Sequence, residues 1–115
     1  MAEDNEINRK LADLLFKRQG LNLDFAENGE IALQKVKEHK YDLVFMDIEM
    51  PVMSGLEATE AIRRDLGEAA PPIVALTAHA MDGDRERFME AGMTDYLTKP
   101  IDISALNAII ENHSA

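Results

Sequence analysis

The sequence predicts an α/β fold: a parallel sheet covered by helices on both faces. Three observations point there. Short apolar runs alternate with amphipathic stretches at helical spacing along the chain. The run Tyr41 to Met46 is compact and apolar, as suits a strand buried in a parallel sheet. Turn formers such as Asn28-Gly29 and Pro71-Pro72 punctuate the units.

Each element follows in order. Glu6 to Lys17 carries Ile7, Leu11, Leu14 and Leu15 at helical spacing, which predicts a helix with that face inward. Gly20 ends it. Leu21, Leu23 and Phe25 alternate with polar residues and predict a short strand. Glu30 to Glu38 predicts a helix facing inward through Ala32, Leu33 and Val36. After Tyr41 to Met46, Pro51 and Gly55 bracket a loop, and Leu56 to Leu66 predicts a helix. Ile73 to Leu76 is the next strand and runs into Thr77. Asp84 to Ala91 is a short helix closed by Gly92, and Asp95 to Thr98 a last short strand. Asp102 can cap a final helix facing inward through Leu106, Ile109 and Ile110.

With 115 residues, the chain suits one domain over 1–115. It has no cysteine, so disulfides and thiolate chemistry are excluded. Its 22 acidic and 12 basic side chains give a net charge of -10. Such a charge repels a nucleic-acid backbone and attracts a divalent cation or a basic partner surface. No apolar run is long enough to span a bilayer, so no membrane contact and a cytoplasmic location are expected. The three histidines are scattered and match no common metal-binding spacing.

Ligands of such sheets bind beyond the carboxyl ends of the strands. The polar residues expected there are Glu3 and Asp4 before the first helix, Asp47, Thr77 and Lys99. Carboxylates crowded together attract a cation, and a hard ion such as Mg2+ takes oxygen ligands. Asp4 and Asp47 can each supply one, Glu3 can act directly or through water, and Glu49 can offer its backbone carbonyl. Asp47 is then a candidate nucleophile, because a carboxylate can attack phosphorus and hold the group as an acyl phosphate. Lys99 can contact a second phosphoryl oxygen, and the Thr77 hydroxyl a third.

The pieces EDNEINRKLA from Glu3, MDIEMPVMSG from Met46, ALTAHAM from Ala75 and DYLTKP from Asp95 resemble a receiver domain. Such domains occur in two-component response regulators and hybrid sensor histidine kinases. The resemblance covers nearly the whole chain, and EDNEINR with TAHAM and YLTKPI is closer to receivers of hybrid kinases. It implies a flavodoxin-like doubly wound sheet. It implies that Asp47 accepts phosphate from a phosphohistidine on a histidine kinase or histidine phosphotransfer domain. Glu3, Asp4, Asp47 and Glu49 would serve magnesium, Thr77 and Lys99 would be the functional hydroxyl and lysine, and Tyr96 the aromatic switch. Any enzymatic activity would be limited to self-phosphorylation from a phosphodonor and autodephosphorylation.

One departure stands out. The family pattern opens with an apolar strand, central in a sheet of order 2-1-3-4-5, whereas Glu3 here follows only Met1 and Ala2. A fragment or trimmed chain with four strands is the expectation. The Leu23 to Ala26 and Tyr41 to Met46 strands would then pair directly, leave a gap or accept a strand from another chain, with self-association through the altered sheet. Glu3 and Asp4 would lose their rigid mounting. The alternative function is a receiver-shaped interaction or scaffold module whose chemistry is weakened or lost. A flavodoxin-like cofactor domain is a third reading, opposed by the carboxylates at the proposed pocket. A phosphatase with an Asp-x-Asp pair is a fourth, opposed by glutamate at position 49.

Overall fold

The computed structural model describes residues 1–3, 5–18, 20, 24–48, 50, 53–78, 83–99 and 103–113. Asp4, Glu49 and Asp102, singled out above, lie outside the described residues, as do Leu21, Leu23 and Pro51. The helices are α1 (Glu6–Arg18), α2 (Gly29–Glu38), α3 (Gly55–Leu66), α4 (Asp84–Ala91) and α5 (Ile103–His113). The strands are β1 (Val44–Asp47), β2 (Ile73–Thr77) and β3 (Asp95–Thr98). Asn28 caps α2 by accepting the Ile31 N–H, and Gly92, at φ 109, closes α4. A 3-10 turn at Gly67–Ala69, not foreseen in the sequence, follows α3.

The strands run parallel in the order β1-β2-β3, with Asp47 opposite Leu76 and Thr77 opposite Thr98. The expected gap beside β1 is filled from within the chain. Ala2 donates its N–H to the Phe45 carbonyl at 2.8 Å and accepts from the Asp47 N–H at 3.1 Å. On the other side, Glu3 N–H reaches the Ala26 carbonyl at 2.9 Å and Ala26 N–H the Met1 carbonyl at 3.0 Å. The spatial order is thus Ala26, Ala2, β1, β2, β3, which is the 2-1-3-4-5 arrangement.

Among the described residues the sheet has three strands, and Ala2 and Ala26 join it as single-residue bridges; Leu21 and Leu23 of the predicted Leu21, Leu23 and Phe25 strand lie outside the described residues. Helix α1 follows closely on Glu3, and the Asn5 side chain accepts the Asn8 N–H at 3.1 Å. One expectation is corrected here. The Ala26 segment and β1 neither pair directly nor leave a gap, since Ala2, only 1 % exposed, lies between them.

Alternating strand residues feed two cores. Val44, Met46, Ile73 and Ala75 pack with Ala32, Val36, Ile62 and Phe88 beneath α2, α3 and α4. Phe45, Val74, Leu76 and Leu97 pack with Phe16, Leu106 and Ile109 beneath α1 and α5. Both faces of the sheet are therefore covered, as the apolar strands require. Phe16 and Phe45 meet edge to face with centroids 5.2 Å apart, a contact contributing about 0.5–1.5 kcal/mol beyond the area buried.

Helix α1 departs from its expected orientation. Ala12 and Phe16 are its buried residues, and Leu15 packs against the core. Ile7, Leu11 and Leu14, predicted to face inward, are 69 %, 56 % and 51 % exposed. Phe16, the bulkiest apolar side chain of the helix, sets the rotation by filling the space over Phe45. The stripe at positions 7, 11 and 14 is then turned to solvent.

Candidate functional site

Asp47 stands where a buried strand ends. All of β1 is buried, Asp47 included, at 4 % exposure. Past Asp47 the chain stays on the sheet for one more residue, since Ile48 N–H donates to the Leu76 carbonyl at 3.0 Å. The Gly55 N–H then donates to the Ile48 carbonyl at 3.0 Å and folds the start of α3 back onto the strand end. A β-carbon on Gly55 would meet the Asp47 carbonyl, with its carbon only 2.8 Å away, so glycine alone allows this approach. Ser54 completes the turn through a capping box with Glu57.

Lys99 arrives from β3. Its N–H donates to the Thr77 carbonyl at 2.8 Å, extending the ladder beyond Thr98. Its Nζ lies 2.7 Å from Asp47 Oδ2 and 2.9 Å from Glu3 Oε2. Residues far apart in the chain thus converge on one ammonium. Glu3, expected to be loosely mounted, is 2 % exposed. Its Oε1 accepts the Asn8 amide at 3.1 Å and the Asn5 N–H at 3.3 Å, and Arg9 donates to its carbonyl at 2.9 Å.

A cavity of about 200 Å³ opens over these groups, lined by Glu3, Asn8, Asp47, Thr77 and Lys99 among others. Thr77 borders it from the end of β2. Tyr96 lies elsewhere, in β3, with its ring tilted against Phe88 at 6.1 Å. Asp4 and Glu49 cannot be placed, being outside the described residues. Among the described residues no group of three His, Cys, Asp or Glu converges, and the carboxylates of the cavity are Glu3 and Asp47. A second, apolar groove of about 290 Å³ adjoins the first and shares Glu3, Asn8 and Lys99 with it. Leu11 and Leu14 of the exposed stripe line it, together with Leu15 of α1.

Burial dominates the electrostatics. It pushes the Asp47 carboxyl up to about 6; Lys99 opposes the rise and Glu3 adds to it. Burial also pushes Glu3 upward, but hydrogen bonds from Lys99, Asn8 and Asp47 outweigh it and hold Glu3 below its ordinary value. Lys99 sits above its ordinary value, because its two carboxylate partners overcome its desolvation. The cavity thus brings together an anion at Glu3, a cation at Lys99 and the buried Asp47 carboxyl, with Lys99 Nζ bridging the two acidic groups.

Asn8 and Asn5 escaped the functional reading of the sequence. Their signal was the Asn-x-x-Asn spacing at a helix start that follows Glu3, which turns the Asn8 amide back toward the Glu3 carboxylate.

Comparison with known proteins decides the family. The family model described as "Response regulator receiver domain" matches residues 1–111. The chain is a receiver domain. Hybrid signal transduction histidine kinase I of Dictyostelium discoideum is 46 % identical over 96 % of this chain, which spans only 7 % of that kinase. The receiver domain of sensor histidine kinase PA1611 from Pseudomonas aeruginosa PAO1 superimposes with a TM-score of 0.87. It is 35 % identical, the match covers 97 % of this chain and 92 % of that one, and that structure has a magnesium ion coordinated in its active-site cleft. The Ssk1 receiver of Saccharomyces cerevisiae, solved with the histidine phosphotransfer protein Ypd1, gives a TM-score of 0.89 at 34 % identity, covering 97 % and 84 % of the two chains. The receiver therefore belongs to two-component signal transduction and resembles the receivers of hybrid histidine kinases. Among its described residues, no helix is long and apolar enough to cross a membrane.

Proposed function

We propose that this receiver accepts a phosphoryl group on Asp47 from a phosphohistidine. The observation that carries the reading is Lys99 Nζ, within hydrogen-bond distance of both Asp47 and Glu3 in one cavity. An Asp47 carboxylate oxygen attacks phosphorus, the P–N bond of the donor breaks, and its electron pair leaves with the imidazole. Lys99 follows the new charge from the carboxylates to a phosphoryl oxygen. The Thr77 hydroxyl, at the end of the neighbouring strand, donates to another. Hydrolysis resets the site: water attacks phosphorus, the P–O bond to Asp47 breaks, and inorganic phosphate leaves.

The oxygen donors Glu3 and Asp47 fit a hard cation, so magnesium is the metal we assign, with Asp4 and the Glu49 carbonyl as further ligands. When bound, it neutralises charge on the transferring oxygens. Thr77 then draws toward the phosphoryl group, and Tyr96, packed on Phe88 of α4, carries the shift to the outer surface.

The donor is a histidine kinase or a histidine phosphotransfer domain. The exposed stripe Ile7, Leu11 and Leu14 and the groove beside it offer apolar area for a protein donor, continuous with the phosphoryl cavity. Phosphohistidine is made from ATP, so the reading places the domain in the cytoplasm. The scaffold alternative needed a frayed Glu3; the burial and hydrogen bonding of Glu3 support the chemical reading instead.

The test is intact mass after incubation with a phosphorylated histidine phosphotransfer domain and magnesium, beside Asp47→Ala. The parent should gain one phosphoryl group and the variant none. A folded parent that gains nothing at early sampling times would overturn the proposal.

A further inference from the structure

The first turn of α1 grips Glu3 by backbone and side chain together. Arg9 donates to the Glu3 carbonyl at 2.9 Å, and the Asn8 side-chain amide donates to Oε1 at 3.1 Å. The Asn5 N–H reaches the same oxygen at a longer 3.3 Å. Lys99 takes the other oxygen, Oε2, at 2.9 Å. The two oxygens of one carboxylate are thus divided, Oε1 to the helix and Oε2 to the cavity. Glu3 is buried, so water is a poor substitute for a lost partner.

The helix itself has no need of the Asn8 side chain. Asn5 caps the first turn by accepting the Asn8 backbone N–H, a bond that any residue except proline would keep at position 8. Leucine has nearly the same size and shape as asparagine and is the better helix former. Position 8 also borders the apolar groove, where leucine would be at home. A position that mattered only for the fold would therefore accept leucine.

The residue type fits a different task. Lysine or arginine would also hold Glu3, but its charge would cancel that of the carboxylate. An amide holds the oxygen and leaves the charge in place.

We infer that Asn8 is a positioning residue: it holds Glu3 by Oε1, so that Oε2 stays turned to the cavity for a magnesium ion when Lys99 moves to a phosphoryl oxygen. The inference rests on the phosphoacceptor reading and its metal. Once Lys99 has moved, Asn8 and the longer Asn5 contact are what keep the Glu3 carboxylate from turning about its side-chain torsions. Partners of this kind, one bond removed from a metal, orient the ligand and raise metal affinity.

The experiment titrates the whole chain with magnesium chloride alone and follows the backbone amide peaks of Asp47 and Lys99 by NMR. Native peaks are distinct from those of unfolded molecules, so the Kd is that of the folded protein whatever fraction is folded. For Asn8→Leu we expect magnesium affinity to fall roughly tenfold. Asn8→Gln, which keeps an amide donor, should recover most of that loss. Val36→Ala trims the core beneath α2, so it should lower the melting temperature and leave the Kd unmoved. Asn8→Ala serves if the leucine variant does not fold. A fall of less than about threefold in Asn8→Leu would overturn the inference. So would a glutamine variant as weak as the leucine one, or an equal fall in Val36→Ala. A parent whose native peaks do not respond to magnesium would remove the metal from the proposed function first, and this inference with it.

Discussion

Asp47 is a carboxylate that the fold keeps out of water, and this has a measurable cost. Its folded value of about 6 lies above the ordinary 3.8, chiefly through burial. The folded protein therefore binds the Asp47 proton more tightly than the unfolded chain does. Below pH 3.8 the carboxyl is neutral in both states and costs nothing; as pH rises to about 6 and beyond, the folded state bears the full penalty. In metal-free protein, Asp47→Asn should thus stabilise the domain by about 1–3 kcal/mol at pH 8, and the gain should vanish near pH 4. Urea unfolding at the two pH values reads this directly, and equal gains at both would contradict it. The same buried charge favours taking up a cation, so destabilisation and the proposed function share one origin. The placement of the candidate site residues was legible at this scale: Asp47, Thr77 and Lys99 each end or follow a strand, and Asp47 and Lys99 do meet. Asn8 was not legible, because an asparagine in a first helical turn reads as ordinary capping until the carboxylate it faces is known.

At the scale of elements, the sequence reading located each α-helix among the described residues, but on α1 it misjudged the face. Ile7, Leu11 and Leu14 keep helical spacing as well as any core stripe, so period alone could not tell a buried face from one left to a partner. Phe16 and Ala12 decide the rotation, and they do so through Phe45, a contact that spacing cannot show. The exposure of the stripe has a consequence for transfer. Ile7→Glu and Leu14→Glu remove apolar area from solvent-facing positions, so unfolding free energy should move by less than about 0.5 kcal/mol. Transfer from a phosphorylated phosphotransfer domain should fall roughly tenfold more than transfer from acetyl phosphate. Equal losses with both donors would show that the stripe is not where the protein donor rests. Boundaries followed the same logic. Asp84–Ala91 and Asp95–Thr98 match their predicted limits because Gly92 marks the turn, whereas β1 begins only at Val44, where pairing with β2 starts.

For the whole molecule, alternation of strand and helix was enough to foresee a parallel sheet with two covered faces. The short N-terminal segment was harder. Three residues carry no strand period, so nothing local announced that Ala2 would bridge Ala26 and Met46. Its place is dictated by tertiary pairing, since an unfilled slot would strand the N–H groups of Ala26 and Asp47. Hydrogen exchange should reveal the unit. Amides of Ala2, Glu3, Ala26 and Asp47 all depend on that segment and should exchange with one common opening free energy, below that of Ala75 in β2. Protection of the Ala26 amide that outlasts Ala2 by orders of magnitude would break the unit apart.

The same arrangement ties completion of the fold to completion of the candidate cavity. Ala2 closes two long loops at once, one to Ala26 and one to Phe45, for very few bonds, so its docking is entropically late. Glu3 arrives at Lys99 only with that step. A chain with its other strands in register but Ala2 undocked lacks the Glu3–Lys99 contact, so under the proposed function it would be a poor acceptor until that last step is complete.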